Sequence, residues 1–215
     1  MSAVYMYVVD RDFGFAPNPF HGYCTLATCK PGIRSTAKVG DWIIGIGGKR
    51  LNATGRCVFA MRVTEKIDFQ EYWRNHRYID KRPVRNGSST RLVGDNIYRR
   101  DDETSRWRQA DSHHSNPDGS SNLVNVQNDT KSDKVLISQH FFYFGKDALA
   151  VPPHLLNATG FKNRQGHRRF DNPASKKLVE WICTNFSSCL NQVSADPFDF
   201  DQSDKRYSGE NNKIV

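Results

Sequence analysis

The sequence has no long hydrophobic run, and its 215 residues have a mean hydropathy of −0.69. No stretch reaches the ~18 consecutive apolar residues that a membrane-spanning helix needs. The first residues, MSAVYMYVVDRD, have no basic segment and an apolar run too short for a secretory signal. The five cysteines are odd in number, which argues against a complete disulfide framework. These absences predict a cytoplasmic protein with reduced thiols and no membrane contact.

Motifs that mark common enzyme classes are also missing. The chain has no GxxxxGK[ST], no GxGxxG after a strand, no GxSxG and no zinc-deaminase signature. We therefore exclude a P-loop NTPase, a dinucleotide-dependent dehydrogenase and a hydrolase of the common folds. The cysteine spacings, Cys24 to Cys29 and Cys183 to Cys189, match no common zinc site, so we assign no metal ligand. The cofactor is left open.

Positive charge is plentiful. Lys and Arg number 31 against 23 Asp and Glu, which gives a formal net charge of +8. Basic and aromatic residues alternate around Trp73, and cations suit phosphates while rings suit bases. The alternative is an ordinary basic surface with Trp73 in the core. We predict a nucleotide or nucleic acid as partner, with DNA favoured over RNA. The residues of this basic and aromatic segment are Tyr72, Trp73, Arg74, Arg77, Lys81, Arg82, Arg91, Arg99, Arg100, Arg106 and Arg108.

Hydrophobic patterning predicts an α+β fold. The apolar runs read as strands separated by turns more often than by helices. We expect one domain over residues 1–194 with a strongly bent or barrel-like mixed sheet, long polar loops and a C-terminal helix. A loose polar tail would follow over 195–215. The predicted strands are 3–9, 40–47, 57–64 and 133–145, the predicted helices are 68–75 and 173–190, and the long polar loop is 77–134.

The first loop, residues 12–34, is rich in proline, aromatic and basic residues. Its prolines restrict the backbone, and its aromatic rings suit stacking on a base. An asparagine matches a base edge with both a donor and an acceptor, and cations suit a phosphate. The alternative is that the phenylalanines fill the core beneath a rigid turn. The predicted base- or nucleotide-binding residues here are Phe13, Phe15, Asn18, Phe20, Lys30 and Arg34.

Proton-transfer groups occur at the end of the first strand and within 77–134. Asp12 follows the first strand, and His113 and His114 are adjacent in a polar segment, which suits general acid–base catalysis if the loops converge. Asp95 and Asn96 are predicted to join the base-binding group. The alternative for each is a solvated polar side chain. Cys29 precedes Lys30-Pro31, a basic setting for a thiol, but the sequence shows no base to serve it.

Long segments of the chain resemble the nucleotide modification associated domain 2 family. They are DRDFGFAPNPFHGYCTLATCKPGIR, KVGDWIIGIGG, EYWRNHRYIDKRP, GDNIYRR, ADSHHSNPDG and KVLISQHFFYFGKDA, between about Tyr5 and His167. The resemblance implies a role in nucleic-acid base modification, often in phage or mobile-element systems. KVGDWIIG alone is similar to strand entries of PUA-like, EVE and ASCH barrels, which implies a PUA-like fold.

The sequence supports two alternative hypotheses about function. The first is a base-binding protein that acts on a base or nucleotide in a pocket formed by 12–34, with Asp12, His113 and His114 moving protons. The second is a non-catalytic reader of modified nucleic acid, or a structural subunit of a modification complex.

Overall fold

The computed structural model describes residues 2–215. Its elements are short, and many are joined by turns. The strands are β1 Val4–Val9, β2 Cys24–Leu26, β3 Trp42–Gly47, β4 Arg56–Arg62, β5 Glu65–Asp68, β6 Tyr98–Arg100, β7 Trp107–Gln109, β8 Lys134–Ser138, β9 Phe141–Tyr143, β10 Leu149–Ala150, β11 His167–Phe170, β12 Tyr207–Ser208 and β13 Lys213–Ile214. The α-helices are α1 Pro31–Thr36, α2 Phe69–Arg74, α3 Ser89–Leu92, α4 Leu123–Asp129, α5 Pro153–Thr159 and α6 Pro173–Asn185. The 3-10 helices are His76–Lys81, Gly145–Asp147, Ser187–Cys189 and Phe200–Gln202.

The chain divides into two compact units. The first unit contains Met1–Asp12, Ala37–Glu65 and Ser138–Phe198. The second unit contains Phe13–Thr36, Lys66–Ile137 and Asp199–Val215. The prediction of one domain over residues 1–194 stays a prediction.

The first unit is built on a six-stranded mixed sheet in the order β10-β4-β3-β1-β11, with β9 also paired to β4. β1 runs parallel to β3 and antiparallel to β11. Both β1 and β3 are almost wholly buried, which explains their unbroken apolar sequences. Position 45 admits only glycine, because the ring of Phe59 on β4 occupies the space that a Cβ atom would need. Helix α6 adds Leu178 and Ile182 to this core.

The second unit has a three-stranded sheet in the order β2-β8-β5 and two hairpins, β6-β7 and β12-β13. Its core is rich in aromatic side chains, including Phe69 and Tyr72 on α2. Helix α2 begins where Asp68 caps it, because the carboxylate accepts the Glu71 backbone N–H at 2.8 Å. The buried first loop packs in this core through Phe13 and Phe15.

The mixed α and β class is confirmed, and so are the strands predicted over 3–9, 40–47 and 57–64. The helix predicted from residue 173 is confirmed, since Asn172 accepts the Ser175 backbone N–H at 2.8 Å and caps α6. Of the two forms predicted for the mixed sheet, strongly bent or barrel-like, the closed barrel is not found: no sheet closes into a barrel within residues 2–215. One strand over 133–145 is also wrong, because the chain turns at Ser138 and His140 between β8 and β9.

The segment 77–134 is not the long loop that its polar sequence predicts. It contains much of the first 3-10 helix, then α3, β6, β7 and α4. Residues 195–215 also contain ordered elements, a 3-10 helix and the β12-β13 hairpin. No helix within residues 2–215 combines the length and the apolar character that crossing a membrane requires.

Candidate active site

A thiol, an imidazole and a carboxylate meet in the second unit. The sulfur of Cys29 lies 3.8 Å from Nε2 of His114. The other ring nitrogen, Nδ1, lies 2.8 Å from Oδ2 of Asp129. The order nucleophile, base and orienting carboxylate is the arrangement that activates a thiol or hydroxyl in many enzymes. We call Cys29, His114 and Asp129 the thiol triad.

The carboxylate of the triad is held on both of its oxygens. Oδ1 of Asp129 accepts the backbone N–H of Cys29 at 2.7 Å, and Oδ2 accepts the hydroxyl of Tyr98 at 2.8 Å as well as facing His114. Burial opposes the negative charge, but His114 and Arg34 outweigh it and lower the pKa of Asp129. Asp129 is therefore ionised, and it fixes the orientation of the imidazole.

His114 carries a positive charge at neutral pH. Burial alone would lower the pKa of its imidazole, but Asp129 and Cys29 outweigh burial and raise it to about 10. The ring is 4.7 Å from that of Phe15 and 5.6 Å from that of Tyr207. An imidazolium beside a sulfur is the partner that stabilises a thiolate.

Cys29 has an unusual backbone conformation. Its φ is +55°, and that of the next residue, Lys30, is +38°, a region that non-glycine residues rarely adopt. Strained backbone of this kind concentrates at functional sites, because the surrounding structure must stabilise it. Cys29 is partly exposed, whereas Cys24 is fully buried and burial raises the pKa of its thiol to about 12. The hydroxyl of Thr28 is buried beside this turn and has no hydrogen-bond partner.

The same three residues are also the candidate metal ligands. One ligand atom from each of Cys29, His114 and Asp129 lies within 4.8 Å of the others. A structural Zn²⁺ needs four ligands, and a catalytic one usually needs three from the protein. The sulfur faces Nε2 of His114 whereas Oδ2 of Asp129 faces Nδ1, so the imidazole lies between the other two groups, as in a proton relay. The geometry therefore favours a proton relay over a metal centre.

The aromatic residues predicted to hold a base lie in the core. Phe13, Phe15 and Phe20 are nearly inaccessible, and the rings of Phe13 and Phe15 are 4.5 and 5.1 Å from that of His113. Nδ1 of His113 is 2.7 Å from the carbonyl oxygen of Lys205. Burial and the neighbouring His114 lower the pKa of His113 to about 3, so its ring is neutral.

Arg34, predicted to hold a phosphate, is fully buried and donates to main-chain carbonyls. The accepting oxygens belong to Cys29, Asp129, Ser132 and Lys134, at 2.5 to 2.8 Å. A phosphate ligand would have to replace those acceptors. Lys30, the other predicted cation, is partly exposed next to Cys29.

Asn18, Asp95 and Asn96 lie in a second buried polar cluster. The ammonium group of Lys81 donates to Oδ1 of Asn18 at 2.7 Å and to the Asn18 carbonyl at 2.9 Å. Asp95 accepts hydroxyl hydrogens from Thr25 at 2.7 Å and Tyr72 at 2.8 Å. Asn96 donates to the carbonyls of Tyr72 and Tyr78, at 2.9 and 3.2 Å. Its Oδ1 is buried without a hydrogen-bond partner.

Asp12 belongs to the first unit and has its own partners there. Its carboxylate accepts the hydroxyl of Tyr143 and the backbone N–H of Phe198. The structure thus brings His114 to a thiol and a carboxylate.

Sequence reasoning set Cys29 aside because no base partner was evident, and it missed Asp129. The two residues are 100 residues apart, and no spacing motif joins them. The only local signal is the Cys-Lys-Pro sequence at 29–31, where the positive φ values occur.

Comparison with known proteins gives one family. The family model described as nucleotide modification associated domain 2 matches residues 1–204. No curated protein and no solved structure matches the chain.

Proposed function

Because the chain belongs to the nucleotide modification associated domain 2 family, we propose that it is an enzyme that acts on a nucleic-acid base or nucleotide through Cys29. The family description supports an association with nucleotide modification. The proposed chemical step rests on the thiol triad. The single observation that carries it is the relay from the Cys29 sulfur through His114 to Asp129.

The relay supports covalent catalysis in two steps. In the first, the sulfur of Cys29 attacks an electrophilic carbon of the base or of its substituent, and the thiol proton stays on His114. His114 then gives this proton to the departing group or to the atom that gains the electron pair. In the second step, water or another nucleophile displaces the sulfur and loses its own proton to His114. Asp129 orients His114 in both steps and stabilises the ring whenever it is protonated.

The first loop has a place in this proposal. Lys30 adjoins Cys29 at the partly exposed end of the loop, where it would contact a substrate phosphate. Phe13 and Phe15 would act through the histidines that they contact, and Arg34 through the carbonyls of Cys29 and Asp129. Asn18, Phe20, Asp95 and Asn96 would fix the shape of the loop.

The thiol chemistry is tested first with iodoacetamide, followed by peptide mass spectrometry. At neutral pH we expect Cys29 to be alkylated at least about tenfold faster than Cys183, which is also partly exposed. Burial raises the pKa of the Cys183 thiol, which makes it a slow internal reference. His114→Gln and Asp129→Asn should each slow alkylation of Cys29 and leave Cys183 unchanged. Equal rates at the two cysteines would contradict the proposal.

The substrate class is tested by trapping. The protein is incubated with nucleosides, nucleotides and short DNA, quenched in acid, and weighed intact by mass spectrometry. We expect an adduct on Cys29 that is absent in Cys29→Ser and present in Cys183→Ser. Binding of nucleic acid without any adduct or turnover, unchanged in Cys29→Ser, would instead indicate a reader. Stoichiometric Zn²⁺ in the purified protein, lost in Cys29→Ser, would indicate a metal centre.

A further inference from the structure

Two arginines share one tryptophan on the second unit. The guanidinium carbon of Arg82 lies 4.1 Å from the centroid of the Trp73 ring, and that of Arg99 lies 5.3 Å from the same centroid. Trp73 is on helix α2 and Arg99 is on strand β6. Two like charges are therefore held against one aromatic side chain.

This pair of charges is not neutralised. Within residues 2–215, neither Arg82 nor Arg99 has a carboxylate at ion-pair distance. Burial, together with the charge of Arg99, lowers the pKa of Arg82. Arg82 donates through one terminal nitrogen to the Trp73 carbonyl, and its Nε is buried without a hydrogen-bond partner.

The acidic groups on the neighbouring elements are engaged elsewhere. Asp102 pairs with Arg74 at 2.7 Å, and Asp101 pairs with Arg108 at 2.9 Å. Arg100, beside Arg99 on β6, stacks 4.1 Å above Trp107 and donates to the Ser105 carbonyl at 2.8 Å. The repulsion between Arg82 and Arg99 thus persists until an anion from outside the chain binds.

We propose that Arg82 and Arg99, held against Trp73, bind the phosphates of a nucleic-acid backbone. Guanidinium groups bind phosphate oxygens through paired N–H donors, and stacking on Trp73 orients those donors in advance. The choice of a nucleic acid as the anion rests on the proposed function. A polymer with repeated phosphates can engage both guanidinium groups at once.

The test measures binding of fluorescein-labelled single-stranded DNA by anisotropy over a range of salt concentrations. We expect Arg82→Gln with Arg99→Gln to weaken binding at least about tenfold. Loss of two phosphate contacts should also reduce the slope of log K against log salt by about 1.4. The matched control is Lys146→Gln with Lys177→Gln, which removes two exposed charges from the first unit. An effect no larger than that of the control would overturn the proposal.

Further measurements separate this proposal from the proposed function and from a weaker anion site. Iodoacetamide alkylation of Cys29 should be unchanged in the Arg82 and Arg99 variant, and DNA binding should persist in Cys29→Ser. Arg99→Gln alone tests the site without removing the Arg82 contact to the Trp73 carbonyl. Inorganic phosphate should compete poorly with DNA. Equal competition by free phosphate, at matched ionic strength, would indicate a single anion site and overturn the backbone proposal.

Discussion

The two units bury different kinds of side chain. The core of the first unit is mainly apolar, from Val4 and Met6 on β1 to Ile182 on α6. The second unit buries its aromatic core together with charged or strongly polar groups. These are Asn18, Arg34, Lys81, Asp95, Asn96, His113, His114 and Asp129.

The contrast has an energetic meaning. A buried apolar side chain gains free energy from burial alone, whereas a buried charge stabilises a fold only when its partners remain in place. The second unit should therefore be sensitive to the loss of single polar groups, and the first unit to the loss of volume. The second unit also contains the thiol triad. The free-energy cost of burying polar groups is therefore paid in the unit that carries the proposed catalytic residues.

The largest effect is expected for Lys81→Met. The ammonium group of Lys81 is fully buried, donates to Asn18 and Tyr23, and offsets the charge of Asp95. Its removal leaves a buried carboxylate without compensation, which costs about 3–5 kcal/mol. Urea-induced unfolding measures the loss.

The second variant for this test is Lys81→Met with Asp95→Asn. Removing the uncompensated charge should restore part of the stability, so the double variant should be more stable than Lys81→Met alone. If Lys81→Met costs under about 1 kcal/mol, the buried charges do not control the stability of the second unit.

Arg34→Lys is expected to lower the free energy of unfolding by a smaller amount, about 2–3 kcal/mol. Lysine keeps the charge but cannot reach four carbonyls with a planar group. The carbonyls of Cys29 and Asp129 both accept from Arg34, so alkylation of Cys29 should slow as well. Alkylation at the wild-type rate, despite lower stability, would show that Arg34 does not position the thiol triad.

Much of the fold was predictable from local patterns. The buried runs at β1 and β3 and the cap at Asn172 are set by neighbouring residues. The structure of the segment 77–134 was not predictable in this way, because its short elements are held by contacts with residues distant in the sequence. Asn96, for example, donates to carbonyls on α2 and the adjoining 3-10 helix.

The site was only partly predictable for the same reason. His114 was expected as a proton-transfer group, and it lies in the triad. Its partners, Cys29 and Asp129, come from turns and helix ends 85 and 15 residues away. Such contacts depend on tertiary packing, which no spacing motif in one sequence encodes.

The two adjacent histidines predict opposite effects of pH on stability. Burial and His114 lower the pKa of His113 to about 3 in the folded state, against 6.5 when unfolded. The unfolded chain therefore binds more protons between these values, and this group makes stability rise with pH there. Despite burial, Asp129 and Cys29 raise the pKa of His114 to about 10, so its contribution is complete below pH 6.5 and is lost as pH rises toward 10.

These opposing signs predict a maximum of stability near pH 6.5. The slope above the maximum approaches about 1.4 kcal/mol per pH unit, the value for one proton. Unfolding in urea at a series of pH values measures it. His114→Gln should abolish the fall between pH 6.5 and about 8. Burial lowers the pKa of Lys81 to about 8 in the folded state. Lys81 therefore makes stability rise with pH only above about pH 8, where it opposes the fall caused by His114. A fall that persists below pH 8 in His114→Gln would contradict the assignment.

The smallest effect is expected in the first unit, for Ile44→Val. Ile44 is fully buried at the centre of β3, and removing one methylene group from such a site costs about 1 kcal/mol. The matched change in the second unit is Ile137→Val on β8, also fully buried. The two should cost about the same, because apolar burial is the same physical quantity in both units, and neither should slow alkylation of Cys29. If Ile137→Val instead slowed alkylation while Ile44→Val did not, packing as well as charge would hold the thiol triad in place, and the contrast between the units would be one of rigidity.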